Sequence, residues 1–377
     1  MQKKFIKLFS LVLAAVLVAS IVGCSKDSGS NDIVIGVLAP LSGTEAYYGK
    51  DMQQSYQLAC DEINAAGGVL GRQLKLFAAD DGADANMAAS AAAKIVSQKV
   101  DFVVGGYASG ATIAAMKQFY DENLLLLISC ANSTEITKQN LNQSFMLNSP
   151  GTHAAVTLTE LCKSLGTKKI ALVHQGDAYT KNLADICSDT LPKNGFELAP
   201  VQMIEKNNPD ASAIVTAIRS SGADFVYWCG YHSDGSNVIK QLRQGGYEGT
   251  IAVGDGSSSP ELITACGPAG EGVYVTSPPF VKVAEGGEAF IKAYNDKYKV
   301  DPGTYATLCY DTIYLLKDAI EKANSTDFAA VRDAVQAIDY KGLSGRIQFS
   351  ENRELATSNF MILQIEKGEF KLITPKA

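Results

Sequence analysis

The sequence lacks the signatures of the common enzyme classes. No G-x-G-x-x-G follows the first β-branched run, and no G-x-x-x-x-G-K-[ST] occurs, so nothing supports a phosphate cradle for a nucleotide. There are only three histidines, His153, His174 and His232. None of them forms an H-E-x-x-H pattern or accompanies a G-x-S-x-G nucleophile turn. These absences favour binding over catalysis, with no metal or other cofactor expected.

Paired cysteines and excess positive charge are missing as well. None of the eight cysteines forms a C-x-x-C pair, which argues against a zinc knuckle or a thioredoxin-type centre. Lys and Arg number 33 against 40 Asp and Glu, and the resulting net charge of -7 argues against nucleic-acid binding. Buried free thiols are expected in four predicted helices, at Cys60, Cys162, Cys187 and Cys309.

The N-terminus has the layout of an export signal. Three lysines precede an apolar run, residues 8–22, and a polar tract follows Cys24. The run is shorter than the roughly 20 residues that span a bilayer, so a retained transmembrane anchor is the weaker interpretation. "IVGC" resembles a lipobox, although a plain signal peptide could also contain Cys24.

Lipidation would decide where the protein resides. We predict a lipoprotein signal peptide over residues 1–24, lipid on the Cys24 sulfur, and a flexible tether over residues 25–32. A diacylglycerol at Cys24 would hold the protein on the outer face of a bacterial membrane, because two acyl chains anchor a protein stably.

Beyond the tether, strand patterns alternate with helix patterns. About 350 residues exceed what one compact core usually serves, so we expect two lobes. The alternation predicts parallel sheets covered by helices on both faces. One helix is predicted to break at Pro192. The predicted strands of the two cycles are 33–40, 73–81, 101–106, 124–130, 168–175, 196–204, 224–231 and 249–256.

The loops after these strands carry the candidate site, because ligands of doubly wound sheets bind beyond the carboxyl ends of strands. Ser109 lies with glycine neighbours before a predicted helix, where a hydroxyl and backbone N–H groups suit a carboxylate. Ser133 and the backbone at Ala131 follow the next strand. Alternatively, Ser109 only caps a helix.

The opposite pole of an amino acid needs a carboxylate. Asp255 follows a strand and could pair with an ammonium group, since a buried unpaired charge costs several kcal/mol. The ring face of Tyr179 could add cation–π attraction. On its own, Asp255 could also be a turn residue before Gly256.

Aromatic residues in the same loops could form the walls for a ligand side chain, although each could be an ordinary rim aromatic. The wall candidates are Tyr48 and Tyr231, with Trp228 and Tyr107 in addition.

These motifs resemble those of type I periplasmic-binding proteins, in the Leu/Ile/Val-binding branch that serves branched-chain amino-acid ABC importers. The segments that carry the resemblance include "IGVLAPLSGTEAYYG", "VVGGYASGAT", "ISCANSTEIT", "GDGSSSPEL" and "VTSPP". The resemblance implies an α/β fold of two doubly wound parallel-sheet lobes joined by a three-stranded hinge. It also implies a receptor that captures an amino acid, of branched-chain type, between the lobes and delivers it to the permease.

The resemblance further implies discontinuous lobes and roles for individual residues. The N-terminal lobe would comprise 33–149 plus 278–350, and the C-terminal lobe 150–277 plus 351–377. The positions that match those of the family are Ser109, Ser133 and Ala131 for the ligand carboxylate, Tyr179 and Asp255 for the ammonium, and Tyr48 and Tyr231 for the side-chain pocket. Asp255 stands where glutamate is frequent in the family, and Ser133 where threonine is common.

Three alternatives stay open at this point. The protein could be a sensor that reports its closed state to a signalling partner, or an enzyme that turns over a bound amino acid. Within the transport interpretation, amides, urea, aromatic acids and other amino acids are also ligands of such proteins.

Overall fold

The computed structural model describes residues 32–374. The predicted signal peptide, most of the tether and the lipid site at Cys24 therefore lie outside the described residues. Within them, no helix combines the length and the apolar character that crossing a membrane requires.

The first sheet is formed by the N-terminal third of the chain. Its strands are parallel, in the order β2-β1-β3-β4-β5. They are β1 (Ile33–Ala39), β2 (Leu74–Asp80), β3 (Phe102–Gly105), β4 (Leu126–Ile128) and β5 (Ser144–Met146). The intervening helices are α1 (Ala46–Ala65), α2 (Ala85–Ser97), α3 (Ser109–Asp121) and α4 (Thr134–Thr137). Apolar residues dominate β1, β3 and β4 because helices cover both faces of this sheet.

The second sheet begins after α5 (Gly151–Leu165). Its strands in this part of the chain are β6 (Lys169–His174), β7 (Glu197–Leu198), β8 (Gln202–Met203), β9 (Phe225–Cys229), β10 (Thr250–Val253) and β11 (Tyr274–Ser277). The helices among them are α6 (Thr180–Lys193), α7 (Ser212–Ser221), α8 (His232–Gln244) and α9 (Pro260–Cys266).

The last quarter of the chain adds helices beside the first sheet, a separate strand pair, and a hairpin to the second sheet. Its elements are α10 (Gly287–Tyr298), α11 (Ala306–Ala323), α12 (Phe328–Gln336), the pair β12 (Tyr340–Gly342) and β13 (Gly345–Ile347), and the hairpin β14 (Met361–Glu366) and β15 (Glu369–Ile373). The hairpin extends the second sheet antiparallel to β11, which gives the order β15-β14-β11-β10-β9-β6-β7, with β8 beside β6.

The described chain passes between the sheets three times. It leaves the first sheet after β5, returns after β11 so that α11 packs on α1, and crosses back before β14. We call the first sheet with α1–α4 and α10–α12 the first half, and the second sheet with α5–α9 the second half. The predicted α/β fold of two parallel sheets with a three-stranded connection is confirmed.

Two local predictions differ from the structure. Residues 196–204 form two short strands rather than one, because Pro200 lies between β7 and β8 and cannot donate to the sheet ladder. Pro192 does not break its helix but lies inside the last turn of α6, which ends one residue later. The thiols behave as expected: all seven cysteines in the described chain are free and buried.

Gly105 brings β3 against the end of β1. Its φ is +128°, and a β-carbon there would lie 2.1 Å from the Leu38 carbonyl oxygen. Gly166 at the end of α5 also has a positive φ, +69°, but no heavy atom lies within 4 Å of an added β-carbon. Glycine is therefore required at 105 by close approach as well as by conformation.

We predict that Gly105→Ala lowers the free energy of unfolding by about 3 kcal/mol or more, because strain and overlap add. Gly166→Ala should cost only about 1 kcal/mol of left-handed strain. Urea denaturation of both variants measures the difference. Equal losses would contradict the close approach of β3 to Leu38.

Candidate ligand-binding site

A small cavity lies where the strand ends of the two halves meet. Its volume is about 190 Å³. A pocket that holds a small molecule is usually several hundred Å³, so admission of an amino acid requires the walls or the halves to move. The residues that line the cavity are Tyr107, Cys130, Asn132, Tyr179, Tyr231, Asp255, Gly256 and Tyr305.

Asp255 is the central charged group of this cavity. It follows β10 in a single 3-10 turn and is 1% exposed. Its Oδ1 accepts a hydrogen bond from the Tyr179 hydroxyl at 2.7 Å. Its Oδ2 accepts from the amides of Asn132 at 2.9 Å and Asn148 at 3.2 Å, and from the Tyr305 hydroxyl at 3.2 Å. Donors from both halves therefore converge on one carboxylate.

All four of these donors are neutral. Burial raises the pKa of Asp255, and the hydrogen bonds from Tyr179, Asn148 and Tyr305 oppose that rise because they favour the charged form. Among residues 32–374, no Lys, Arg or His forms an ion pair with this carboxylate. The site thus presents an acid that is hydrogen-bonded without being neutralised by a cation of the protein.

Five tyrosines surround Asp255 and form a continuous cluster. Tyr48 stacks on Tyr107 with ring centroids 4.7 Å apart, and Tyr107 lies 6.0 Å from Tyr231 across the boundary between the halves. Tyr231 lies 5.5 Å from Tyr179. Tyr305 contacts both Tyr48 at 5.7 Å and Tyr107 at 5.9 Å, edge to face. We call Tyr48, Tyr107, Tyr179, Tyr231 and Tyr305 the tyrosine cluster.

Of the groups predicted to bind the ligand carboxylate, only some have free donors. Ser109 is the first residue of α3 and fully buried, and its hydroxyl oxygen is 3.4 Å from the Ser133 N–H. The Ser133 hydroxyl donates to the Ala178 carbonyl at 3.0 Å, which joins the halves. The Ala131 N–H donates to Gly106 at 2.9 Å and so provides no free donor. Ser109 and the N-terminus of α3 remain as donors.

Trp228, a further predicted wall residue, does not line this cavity. It lies on β9 next to Tyr227, and neighbouring residues of a strand point to opposite faces. Trp228 belongs to the core on the face of the second sheet that α7, α8 and α9 cover, whereas Tyr227 belongs to the core on the opposite face. The Trp228 indole N–H donates to the Tyr231 carbonyl at 3.1 Å, so it supports the loop of Tyr231 from behind.

Several site residues were missed by sequence reasoning. Tyr305 precedes α11 rather than following a strand, so no strand-end rule could find it. Asn132 lies between the two nominated residues of its loop and could have been included. Asn148 follows β5, a three-residue strand that was not predicted.

Glu45 and His232 add a second polar contact between the halves. Glu45 precedes α1 and His232 begins α8, and the Glu45 Oε2 lies 3.7 Å from the His232 Nδ1. The same oxygen accepts from the Tyr107 hydroxyl at 2.8 Å. Burial raises the pKa of Glu45, and burial lowers the pKa of His232. Within the described chain, no three His, Cys, Asp or Glu side chains are grouped to hold a metal ion.

Residues 32–369 match the family model described as periplasmic binding protein. This chain belongs to that family. Membership implies an extracytoplasmic location, and the family consists of substrate-binding receptors rather than enzymes.

Individual relatives extend over nearly the whole chain. The Leu/Ile/Val-binding protein BraC3 of Rhizobium johnstonii is 31% identical over 364 residues, 95% of this chain and 97% of the relative. The structure is similar to the leucine-binding protein LivK of Thermotoga maritima, with a TM-score of 0.85, 24% identity, and coverage of 91% and 98%. It is also similar to LivJ of Streptococcus pneumoniae in complex with isoleucine, with a TM-score of 0.82, 26% identity, and coverage of 92% and 100%.

We predict that Tyr179→Phe raises the pKa of Asp255 further, because the variant removes the hydroxyl that donates to Oδ1. Carbon-13 NMR titration of the aspartate carboxyl measures the change. Tyr227→Phe is the matched control, since its buried hydroxyl pairs with Thr276 instead. An unchanged pKa in Tyr179→Phe would contradict the assigned hydrogen bond.

Proposed function

We propose that this protein is a receptor that captures a free α-amino acid between its two halves and delivers it to the permease of an ABC importer. The observation that supports this most is the buried, un-neutralised carboxylate of Asp255, which lines the cavity. An ammonium group would supply the missing charge, because a buried carboxylate without a cation is costly. The relatives support the same class, since BraC3 is a Leu/Ile/Val-binding protein and LivJ is the substrate-binding protein of a branched-chain amino-acid transporter.

The two ends of the ligand would be bound by opposite kinds of group. The ammonium would pair with Asp255, and the faces of Tyr179 and Tyr231 would add cation–π attraction. The carboxylate would bind at Ser109 and the N-terminal N–H groups of α3, where the helix dipole favours an anion. Tyr48 and Tyr107 would then adjoin the ligand side chain.

Closure of the halves would complete this site. We propose a first lobe of residues 33–149 plus 278–350 and a second lobe of 150–277 plus 351–377. Asp255 then belongs to one lobe, and its partners Asn132, Asn148 and Tyr305 belong to the other. A ligand that contacts both lobes binds the closed form better and shifts the population towards it, and the permease would recognise that form.

We predict that Asp255→Asn weakens amino-acid binding by tens-fold or more, since removal of one partner of a buried charge pair costs about 2 to 5 kcal/mol. Isothermal titration calorimetry against the twenty amino acids measures this, starting from the best ligand of the unaltered protein. Asp311→Asn is the control, because Asp311 is equally buried but binds Ser344 and Leu343 away from the cavity. Unchanged affinity in Asp255→Asn would refute the assignment.

We further propose that Cys24 carries the lipid that attaches the protein to the membrane surface. The support is the lipobox-like "IVGC" after the apolar run. Cys24→Ser should abolish incorporation of labelled palmitate and shift the protein out of the membrane fraction, because no second anchor is expected. Cys266→Ser, a buried thiol in α9, should leave both measurements unchanged. Continued labelling of Cys24→Ser would exclude this cysteine as the lipid site.

A further inference from the structure

Glu45 is a buried acid with one carboxylate oxygen that receives no hydrogen bond from the described chain. The residue is 1% exposed, and its Oε1 has no hydrogen-bond partner in the described chain. Its Oε2 accepts one bond, from the Tyr107 hydroxyl at 2.8 Å. Buried polar atoms in native proteins almost always have partners, so an unpartnered carboxylate oxygen requires an explanation.

A second unpartnered atom lies next to it in the other half. The Nδ1 of His232 is buried without a hydrogen-bond partner and lies 3.7 Å from the Glu45 Oε2. Burial lowers the pKa of His232, which disfavours the charged ring that would compensate the acid. Both residues follow strand ends, β1 for Glu45 and β9 for His232, which is the same edge that holds the cavity.

The other charges near Glu45 do not supply a partner either. Lys206 attracts the Glu45 carboxylate, but within residues 32–374 it forms no ion pair with it. Asp234 repels the Glu45 carboxylate. The Lys206 ammonium lies 5.2 Å from the Tyr231 ring centroid, and Asp234 accepts from Gln175 and Asn207. The neighbouring Thr44 hydroxyl favours the charged form of Glu45, yet the Oε1 atom of Glu45 has no hydrogen-bond partner in the described chain. Glu45 therefore retains capacity for one more donor.

Tyr107 connects Glu45 to the cavity. Its ring lines the cavity, while its hydroxyl donates to Glu45. Asp255 is held by two other members of the tyrosine cluster, Tyr179 and Tyr305. The tyrosine cluster therefore donates hydrogen bonds to two acids, Asp255 and Glu45, through different hydroxyls.

We propose that Glu45, with Tyr107 and His232, recognises the side chain of the ligand, and that this side chain ends in a nitrogen donor, an amine or an amide. The proposal rests on the proposed function, because it assumes that Asp255 binds the α-ammonium. A branched alkyl side chain would leave the Glu45 oxygen unpaired, and sites built to hydrogen-bond a ligand discriminate strongly against analogues that lack the donor. The preferred ligand thus differs from leucine and isoleucine.

Calorimetry of the full-length protein in detergent tests this with lysine, glutamine, leucine and isoleucine. We expect lysine or glutamine to bind at least tenfold more tightly than leucine or isoleucine. Leucine or isoleucine binding as tightly as both polar amino acids would overturn the inference and leave the proposed function standing. If none of the twenty amino acids bound, the proposed function would fail and this inference with it.

Variants at Glu45 give a second, independent readout. Glu45→Gln should weaken the binding of lysine at least tenfold. It should weaken the binding of glutamine less, because the amide of the new Gln side chain still accepts a hydrogen bond from the ligand amide. Glu45→Leu should weaken the binding of lysine and glutamine and reduce the difference between their affinities and that of leucine. The control is Glu62→Gln, since Glu62 also accepts from tyrosine hydroxyls, those of Tyr310 and Tyr314, but lies at the far end of α1. Equal losses at positions 45 and 62 would contradict a local role for Glu45.

Discussion

The buried carboxylate of Asp255 is the constraint on which the rest of the site depends. A charge taken out of water must be matched by donors, and here two amides and two tyrosine hydroxyls supply them. Three of these four donors come from the chain of the first half or its boundary, although the acid itself follows a strand of the second sheet. The electrostatic requirement of one side chain therefore fixes how the two halves meet.

The tyrosine cluster also meets the need of buried acids for hydrogen-bond donors. Tyrosine brings a large apolar face and one hydroxyl, so it can fill space between the halves while its hydroxyl donates a hydrogen bond. Tyr179 and Tyr305 use their hydroxyls on Asp255, and Tyr107 uses its hydroxyl on Glu45. Phenylalanine in these positions would pack equally well but would leave both carboxylates less satisfied. The residue type thus couples packing to charge.

Strand and helix alternation predicted the fold well, because apolar β-branched runs and helix periodicity are local signals. The site was predicted less completely for physical reasons. Tyr107, Tyr179, Tyr231 and Asp255 follow strands that the sequence pattern predicts, and they line the cavity. Trp228 was placed on the wrong side of its strand because the sequence does not reveal which face points to the site when both faces are apolar. Tyr305 was not predicted because it reaches the cavity from a helix that packs on α1 only in the folded chain.

The threefold passage of the chain between the sheets has a consequence for biogenesis. The face of α1 that packs on α11 has to wait for residues more than two hundred positions later in the sequence. Contacts of such long range slow folding, and an incomplete first half exposes apolar surface meanwhile. The first half of a chain with this topology is therefore completed only after its C-terminal quarter has been synthesised.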